Sequence, residues 1–306
     1  MMPFIDCAPM EGLTGAAYRR CHSCFFPGVD RYYAPFVSPG GDRRFTPKEL
    51  RELLPENNRG FVLIPQILTK SSSDFLWCAG ELKAMGYDCV NLNAGCPSGT
   101  VTAKGKGAGL LADTEALDRF LYEIFEKAPC AVSVKTRLGM KVPDEFGAIL
   151  EVYNKYPISE LIIHPRVRGD FYRENVRREY FHMATERSEL PLGYNGGIET
   201  EEDFQNVLSR WNGLSSVMLG QGLMADPALA SKLRGEAVSR GTLKEFHDAL
   251  FEECARDFQS ANNAAARMKE MWTYLIKSFP GREKELKRIK KARSAEEYLS
   301  AAGAMF

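Results

Sequence analysis

The chain has 306 residues, 44% of them hydrophobic, which is enough apolar material for one large core with a small appendage and too much for a disordered chain. Its 40 basic and 40 acidic residues cancel, which excludes a global electrostatic pull toward nucleic acid and confines any such surface to a local patch. Eight dispersed cysteines, no signal peptide in Met1-Met2-Pro3-Phe4, and no apolar run near the roughly 20 residues that span a bilayer lead us to expect a soluble, cytoplasmic protein with no membrane contact.

Over roughly the first 230 residues short apolar runs alternate with longer amphipathic ones, the pattern of parallel strands joined by helical crossovers. Strands are expected at Phe4 to Ala8, Arg31 to Phe36, Phe61 to Ile67, Cys89 to Asn93, Ala131 to Thr136, Glu160 to His164, Leu192 to Asn195 and Val217 to Leu219. Eight such strands predict an α/β fold, a (β/α)8 TIM barrel. The helices between them announce their ends. Thr46-Pro47 opens one, and Ser71 to Asp74 opens another that stops near Gly86. Asp113 caps a third that reaches Ala128 before Pro129, and Thr200 starts one with acidic residues in its first turn. Cys21 and Cys24 have CxxC spacing, but no second pair accompanies them, so no metal is expected.

From Arg240 the pattern is helical, with segments at Leu243 to Phe258, Ala261 to Ser278 and Glu283 to Lys291 and a break at Phe279-Pro280-Gly281. This predicts two domains, a barrel over 1–239 and an all-helical domain over 240–306. The second carries 13 Lys and Arg against 10 Asp and Glu. Its densest run, Lys287-Arg288-Ile289-Lys290-Lys291-Ala292-Arg293, is either a solvated helix face or a contact for RNA phosphates.

In a barrel, ligands bind at the carboxyl ends of the strands. The strand Cys89 to Asn93 is stopped by Gly95 and Pro97, which holds the Asn93 amide and the Cys96 thiol three residues apart at such an end. They form either a reaction centre or a tight turn around a structural cysteine. Lys135 ends the fifth strand, and His164 and Arg166 follow the sixth. Asn195-Gly196-Gly197 and Gly220-Gln221-Gly222 fall after the seventh and eighth, where barrels hold phosphate groups on backbone N–H donors; plain turns are the other reading. The stretch Arg166 to Arg173 interleaves basic and aromatic residues, which suits phosphate contact and base stacking or simply a charged surface loop.

Taken together these segments resemble the dihydrouridine synthases, flavin enzymes that reduce uridine in RNA. The resemblance rests on Ala8-Pro9-Met10-Glu11-Gly12, Pro65-Gln66, Asn93 with Gly95-Cys96-Pro97 and Gly107-Ala108-Gly109, and Val134 to Gly139. Ile163 to Arg166, Asn195 to Ile198 and Leu219 to Gly222 complete it, in the family's order and at about its spacing. It implies an oxidoreductase with FMN as cofactor and NADPH as electron donor, acting on tRNA or else rRNA, with no stable protein partner. Hydride would pass from N5 of reduced FMN to C6 of the uracil, and Cys96 would deliver the proton to C5.

The resemblance also implies the supporting roles. Pro9 and Met10 form a wall beneath the isoalloxazine, Gln66 and His164 contact its ring, and Lys135 faces its N1 and O2 edge. Asn195, Gly196, Gly197, Gly220 and Gln221 make up the phosphate site. Asn93 holds the imide edge of the uracil, and Arg166 and Tyr172 face the base or its backbone. The family usually has arginine where this chain has Gln221, which removes a charge from the phosphate site. The segment Arg267 to Trp272 resembles the family's RNA-contacting helix, and a base inside folded RNA has to be flipped out to reach a barrel mouth. Two other readings stay open: a barrel flavin dehydrogenase of the dihydroorotate dehydrogenase kind acting on a free pyrimidine, and an inert RNA-binding protein on the same fold.

Overall fold

A computed structural model of the chain describes residues 2–172 and 176–306. Nine strand segments build one parallel sheet: β1 (Phe4–Cys7), β2 (Arg31–Tyr33), β3 (Val62–Ile64), β4 (Gln66–Ile67), β5 (Cys89–Ala94), β6 (Ala131–Arg137), β7 (Leu161–His164), β8 (Leu192–Asn195) and β9 (Ser216–Leu219). The order β3-β2-β1-β9-β8-β7-β6-β5-β4 begins and ends on consecutive segments. The sheet therefore closes into the expected barrel of eight staves, and the third stave, expected as one strand, is split by Pro65. Proline has no N–H to give a ladder, but its carbonyl still accepts from the Asn91 backbone at 2.8 Å. Beyond the break Val37 bridges to Ile67, with Val37 N–H on the Gln66 carbonyl and Leu68 N–H on the Val37 carbonyl, both at 2.8 Å. The segment after β2 is thus stitched to β4.

Strand alternation sorts the core into two layers. Ala8, Tyr33, Ile64, Ile162 and Met218 fill the barrel interior. Leu161 and Ile163, one residue to either side of Ile162, face outward into the larger core beneath the helices. The expected helix starts are realised as caps. Ser71 accepts from the Asp74 backbone at the start of Ser72–Ala84, Asp113 accepts from Glu115 and Ala116 at the start of Thr114–Lys127, and Thr46 and Thr200 form capping boxes with Glu49 and Asp203.

The chain beyond Ser239 forms helices Arg240–Phe258, Ala261–Leu275, Glu283–Lys291 and Ala295–Gly303. The last was not expected, although Ser294-Ala295-Glu296-Glu297 carries the start signal and Ser294 does accept from the Glu297 backbone at 3.1 Å. It buries Tyr298, whose hydroxyl meets His247 Nε2 at 2.6 Å and Trp272 Nε1 at 3.0 Å. These helices share a continuous apolar core with the barrel. Phe246 is fully buried, 6.0 Å from the Tyr18 ring and 5.1 Å from the Phe26 ring, and Arg20 reaches Glu253 at 2.6 Å. Among the described residues no helix is long and apolar enough to cross a membrane.

Because Phe246 joins the two parts, Phe246→Ala should lower the unfolding free energy by about 3–5 kcal/mol. Urea denaturation followed by tryptophan fluorescence and circular dichroism should give one coincident transition; two separate transitions would mean that the helices fold independently of the barrel.

Candidate active site

The chain leaves β5 through Gly95, Cys96 and Pro97, and Asn93 shapes that turn. Its Oδ1 accepts from the backbone N–H of Gly95 at 3.1 Å and of Cys96 at 2.9 Å. Its Nδ2 donates to Gln66 Oε1 at 2.7 Å, Gln66 Nε2 donates to Asn91 Oδ1 at 2.7 Å, and Asn91 Nδ2 donates to Ser133 Oγ at 2.8 Å. A buried chain of amides therefore runs from β6 through β5 and β4 to the Cys96 turn. Two expectations change as a result. Both lone pairs of Asn93 Oδ1 are occupied, so the paired donor and acceptor foreseen for a uracil imide reduce to one remaining N–H. Gln66 is fully buried under Asn93 and orients it.

Arg137, at the end of β6, holds the other side of the turn. Its Nε donates to the Gly95 carbonyl at 2.9 Å and its Nη1 to the Val167 carbonyl at 3.1 Å, while its guanidinium lies 5.2 Å over the Tyr172 ring. Arg168 Nε adds a bond to the Pro97 carbonyl at 3.1 Å. Arg173, the last residue of the basic and aromatic stretch, lies outside the described residues. From below, Gly107 sits at φ +58°, and a Cβ there would come within 2.9 Å of the Cys96 Cβ. Only glycine permits that approach.

These supports surround a cavity of about 260 Å³ at the carboxyl ends of the strands. Eight of the expected residues line it: Pro9, Met10, Asn93, Cys96, Lys135, His164, Tyr172 and Gln221. The others are outside its lining. Arg166 Nη1 contacts His164 Nε2 at 2.7 Å. Asn195 Nδ2 donates to the Met218 carbonyl at 2.8 Å, tying the ends of β8 and β9. Gly196 at φ +134° leaves no room for a side chain, since a Cβ would lie 2.9 Å from His164 Cδ2, and Gly197 follows at φ +63°. A Cβ on Gly220 would stand 3.4 Å from Ala8 Cβ and 3.7 Å from Met10 Sδ. Sequence reasoning passed over Arg137, Phe36 and Tyr274 as lining residues. For Arg137 a signal existed, its place at a strand end beside Lys135. For Tyr274, brought in by the helix Ala261–Leu275, none did.

The cavity favours the uncharged forms of its own groups. Burial, then the Arg137 charge, lowers the Lys135 pKa to about 7, and nothing among the described residues hydrogen-bonds its Nζ. Burial, then Arg137, Lys135 and Arg166, drives the His164 pKa well below the ordinary histidine range, so its ring is neutral. Burial raises the Cys96 thiol, opposed more weakly by a hydrogen bond from the Ser98 backbone and by the Arg137 and Lys135 charges. Glu11 is the one carboxylate among the described lining residues. The site thus pairs a protonated thiol with a neutral imidazole and a lysine brought near neutrality.

A closed parallel barrel whose strand ends converge on such a cavity places the protein among the (β/α)8 barrel enzymes. Within that class the chain belongs to the dihydrouridine synthase family, whose model, Dihydrouridine synthase (Dus), matches residues 6–304. It is 26% identical over 287 residues to the tRNA-dihydrouridine(16) synthase of Ralstonia nicotianae, covering 89% of this chain and 87% of the relative. It is 27% identical to the protein of that name in Pseudomonas putida, over 90% of this chain and 89% of the relative. A probable tRNA-dihydrouridine synthase of Staphylococcus epidermidis is 27% identical over 83% of this chain and 80% of its own length. Among solved structures, morphinone reductase superposes with a TM-score of 0.56 at 12% identity, over 78% of this chain and 88% of that one, a likeness of fold.

A thiol raised above its ordinary value of 9.0 should alkylate slowly at neutral pH. In the ligand-free protein, labelling of Cys96 by iodoacetamide, read by peptide mass spectrometry, should still be climbing at about pH 9. A rate already level near neutral pH would mean a thiolate.

Proposed function

We propose that this protein is a cytoplasmic flavoprotein oxidoreductase that reduces the C5=C6 bond of a uridine in tRNA, with FMN as cofactor and NADPH as electron donor. The observation that carries the reading is Cys96: a thiol kept protonated by burial, on a turn held from three sides, facing the same cavity as Lys135 and His164. The tRNA in this reading comes from the curated relatives, with rRNA as the other RNA to test.

The residues present fit FMN. Met10 and Pro9 offer an apolar wall, and Lys135, whose Nζ no described residue hydrogen-bonds, can take up a charge beside a bound anion. Gly196, Gly197 and Gly220 leave backbone exposed where side chains would close the space. Gln221 brings no charge, so the phosphate would rest on these backbone donors. Reduced FMN supplies the hydride that C6 requires.

The remaining tasks belong to the protein. Cys96 Sγ holds the proton for C5, and its raised pKa keeps that proton in place at neutral pH. An anion in the cavity reverses the effect of burial on Lys135 and keeps its Nζ charged, so the ammonium would stabilise negative charge at that edge. His164 accepts from Arg166 through Nε2 and so carries its own proton on Nδ1, as a neutral donor. Asn93 retains one N–H for the base, and Tyr172, half exposed beneath Arg137, offers a face for stacking. A uridine can enter only when flipped from its RNA, which calls for a second gripping surface. We assign catalysis to the barrel, 1–239, and that grip to the helical domain, 240–306. Ile289 is buried, while Lys287, Arg288, Lys290, Lys291 and Arg293 around it are exposed.

The test is dihydrouridine by nucleoside mass spectrometry after incubating the protein with FMN, NADPH and unmodified tRNA or rRNA. Dihydrouridine should form in the tRNA fraction. Cys96→Ala should keep bound flavin and RNA affinity while slowing formation by about 10²–10⁴-fold. No product from either RNA by flavin-loaded protein would turn the search to free pyrimidines, and colourless protein would favour the inert RNA-binding reading. Replacing Lys290, Lys291 and Arg293 together by glutamine should weaken tRNA binding and flatten its salt dependence by about three charges; an unchanged slope would return the run to a solvated helix face.

A further inference from the structure

A second cavity, about 530 Å³, is separate from the one that contains Cys96. It lies beside it, between the loops after β1 and β2, the helix Pro47–Leu53, and the helices Arg240–Phe258 and Ala261–Leu275. Glu11, Leu13, Pro35 and Phe36 line both spaces and form the partition between them.

The chemistry of this chamber is specific. Its inner wall is apolar, with Tyr18, Val37, Leu250, Met268 and Met271. Phe258 is 38% exposed, and the Arg267 guanidinium lies 5.9 Å over its ring. Arg267 is held there by Glu270 at 2.6 Å and by the absence of a side chain at Gly12, where a Cβ would collide with its Nη1. Among the described residues four carboxylates and three cations line the chamber, and the carboxylates are already engaged. Glu52 binds Arg19 at 3.1 Å, Asp257 binds Arg20 at 3.3 Å, Glu49 closes the Thr46 cap at 2.9 Å, and Glu11 pairs with Lys48 at 3.5 Å. The charges around the chamber are thus paired with one another, and the described residues present no cluster of spare cations to hold a phosphate. A flat, uncharged, largely apolar group that stacks fits both the walls and the charge.

We propose that this chamber receives a second unpaired base of the same RNA, the immediate neighbour of the uridine in the Cys96 cavity, stacked on Phe258 and Arg267 with its phosphate left outside. The inference rests on the uridine-reducing reading above. Flipping one base strips its neighbour of a stacking partner, and an aromatic ring paired with a guanidinium replaces that partner for any base. Two contiguous chambers of which only one contains the acid suit two consecutive nucleotides of which only one reacts.

The test uses the full-length protein and the tRNA in which dihydrouridine forms, prepared with an abasic residue immediately 5′ or 3′ of the target uridine. The abasic residue on one side should weaken binding to the wild-type protein roughly tenfold, the order expected for one stacked base. It should cause no further loss in Phe258→Ala, nor in Phe258→Leu, which keeps the apolar volume should the alanine variant fold poorly, and Phe258→Trp should restore the difference. Equal abasic penalties in the wild-type and Phe258→Leu proteins on both sides would overturn the proposal. So would a raised KM for NADPH with unchanged RNA binding in Phe258→Leu, which would assign the chamber to the dinucleotide. Absence of dihydrouridine from intact tRNA with wild-type protein would instead remove the uridine-reducing reading itself; product formation without coupling to Phe258 removes the base chamber alone.

Discussion

The geometry of the site depends on one buried side chain, the Asn93 amide. With Oδ1 on two backbone N–H groups and Nδ2 on Gln66, it converts the rigidity of the barrel wall into a fixed orientation for Cys96. Each amide in the chain from Ser133 to Asn93 is buried, and each finds its partner on a neighbouring strand. Loss of any member would strand a buried polar group at a cost of about 1–3 kcal/mol. A satisfied network of this kind specifies one arrangement, which a loop resting on apolar contacts alone would not.

The same interior sets the electrostatics. Arg137 does two things at once: it ties Gly95 to Val167 and it supplies a charge that presses Lys135 and His164 toward their neutral forms. Positional order and cationic potential therefore have a common origin at the end of β6. An anion bound among Arg137, Arg166 and Lys135 would offset the repulsion between them and favour the charged form of Lys135.

Much of the fold was legible because its signals are local. Ser71, Asp113 and Thr200 sit next to the backbone groups they cap, so residue type and spacing suffice. The strand ends bearing Cys96, Lys135 and His164 were legible for a related reason, since a strand's last residue can be read from where its apolar run stops. The split third stave was missed because Pro65 follows an apolar run that resumes at Ile67, and the final helix because its start signal directly follows a charged segment. The directions of Asn93 and Gln66 could not be read at all. Their partners lie 25 to 27 residues apart along the chain, and only closure of the barrel brings them together. Tyr274 and Phe258 join the mouth of the barrel from still greater distances, through packing of helices whose placement no local pattern encodes.

The break at Pro65 has a mechanical side. Because the third stave is two short pieces, the ladder is interrupted at the seam between β3 and β4. The segment Pro35 to Val37 is fastened to the β4 side of that seam, through Val37 and Gln66. The panel that divides the two chambers and the amide that steadies the acid are therefore parts of the same small unit. Three hydrogen bonds connect that panel to the turn of the acid, from Val37 to Gln66, from Gln66 to Asn93 and from Asn93 to the Cys96 backbone.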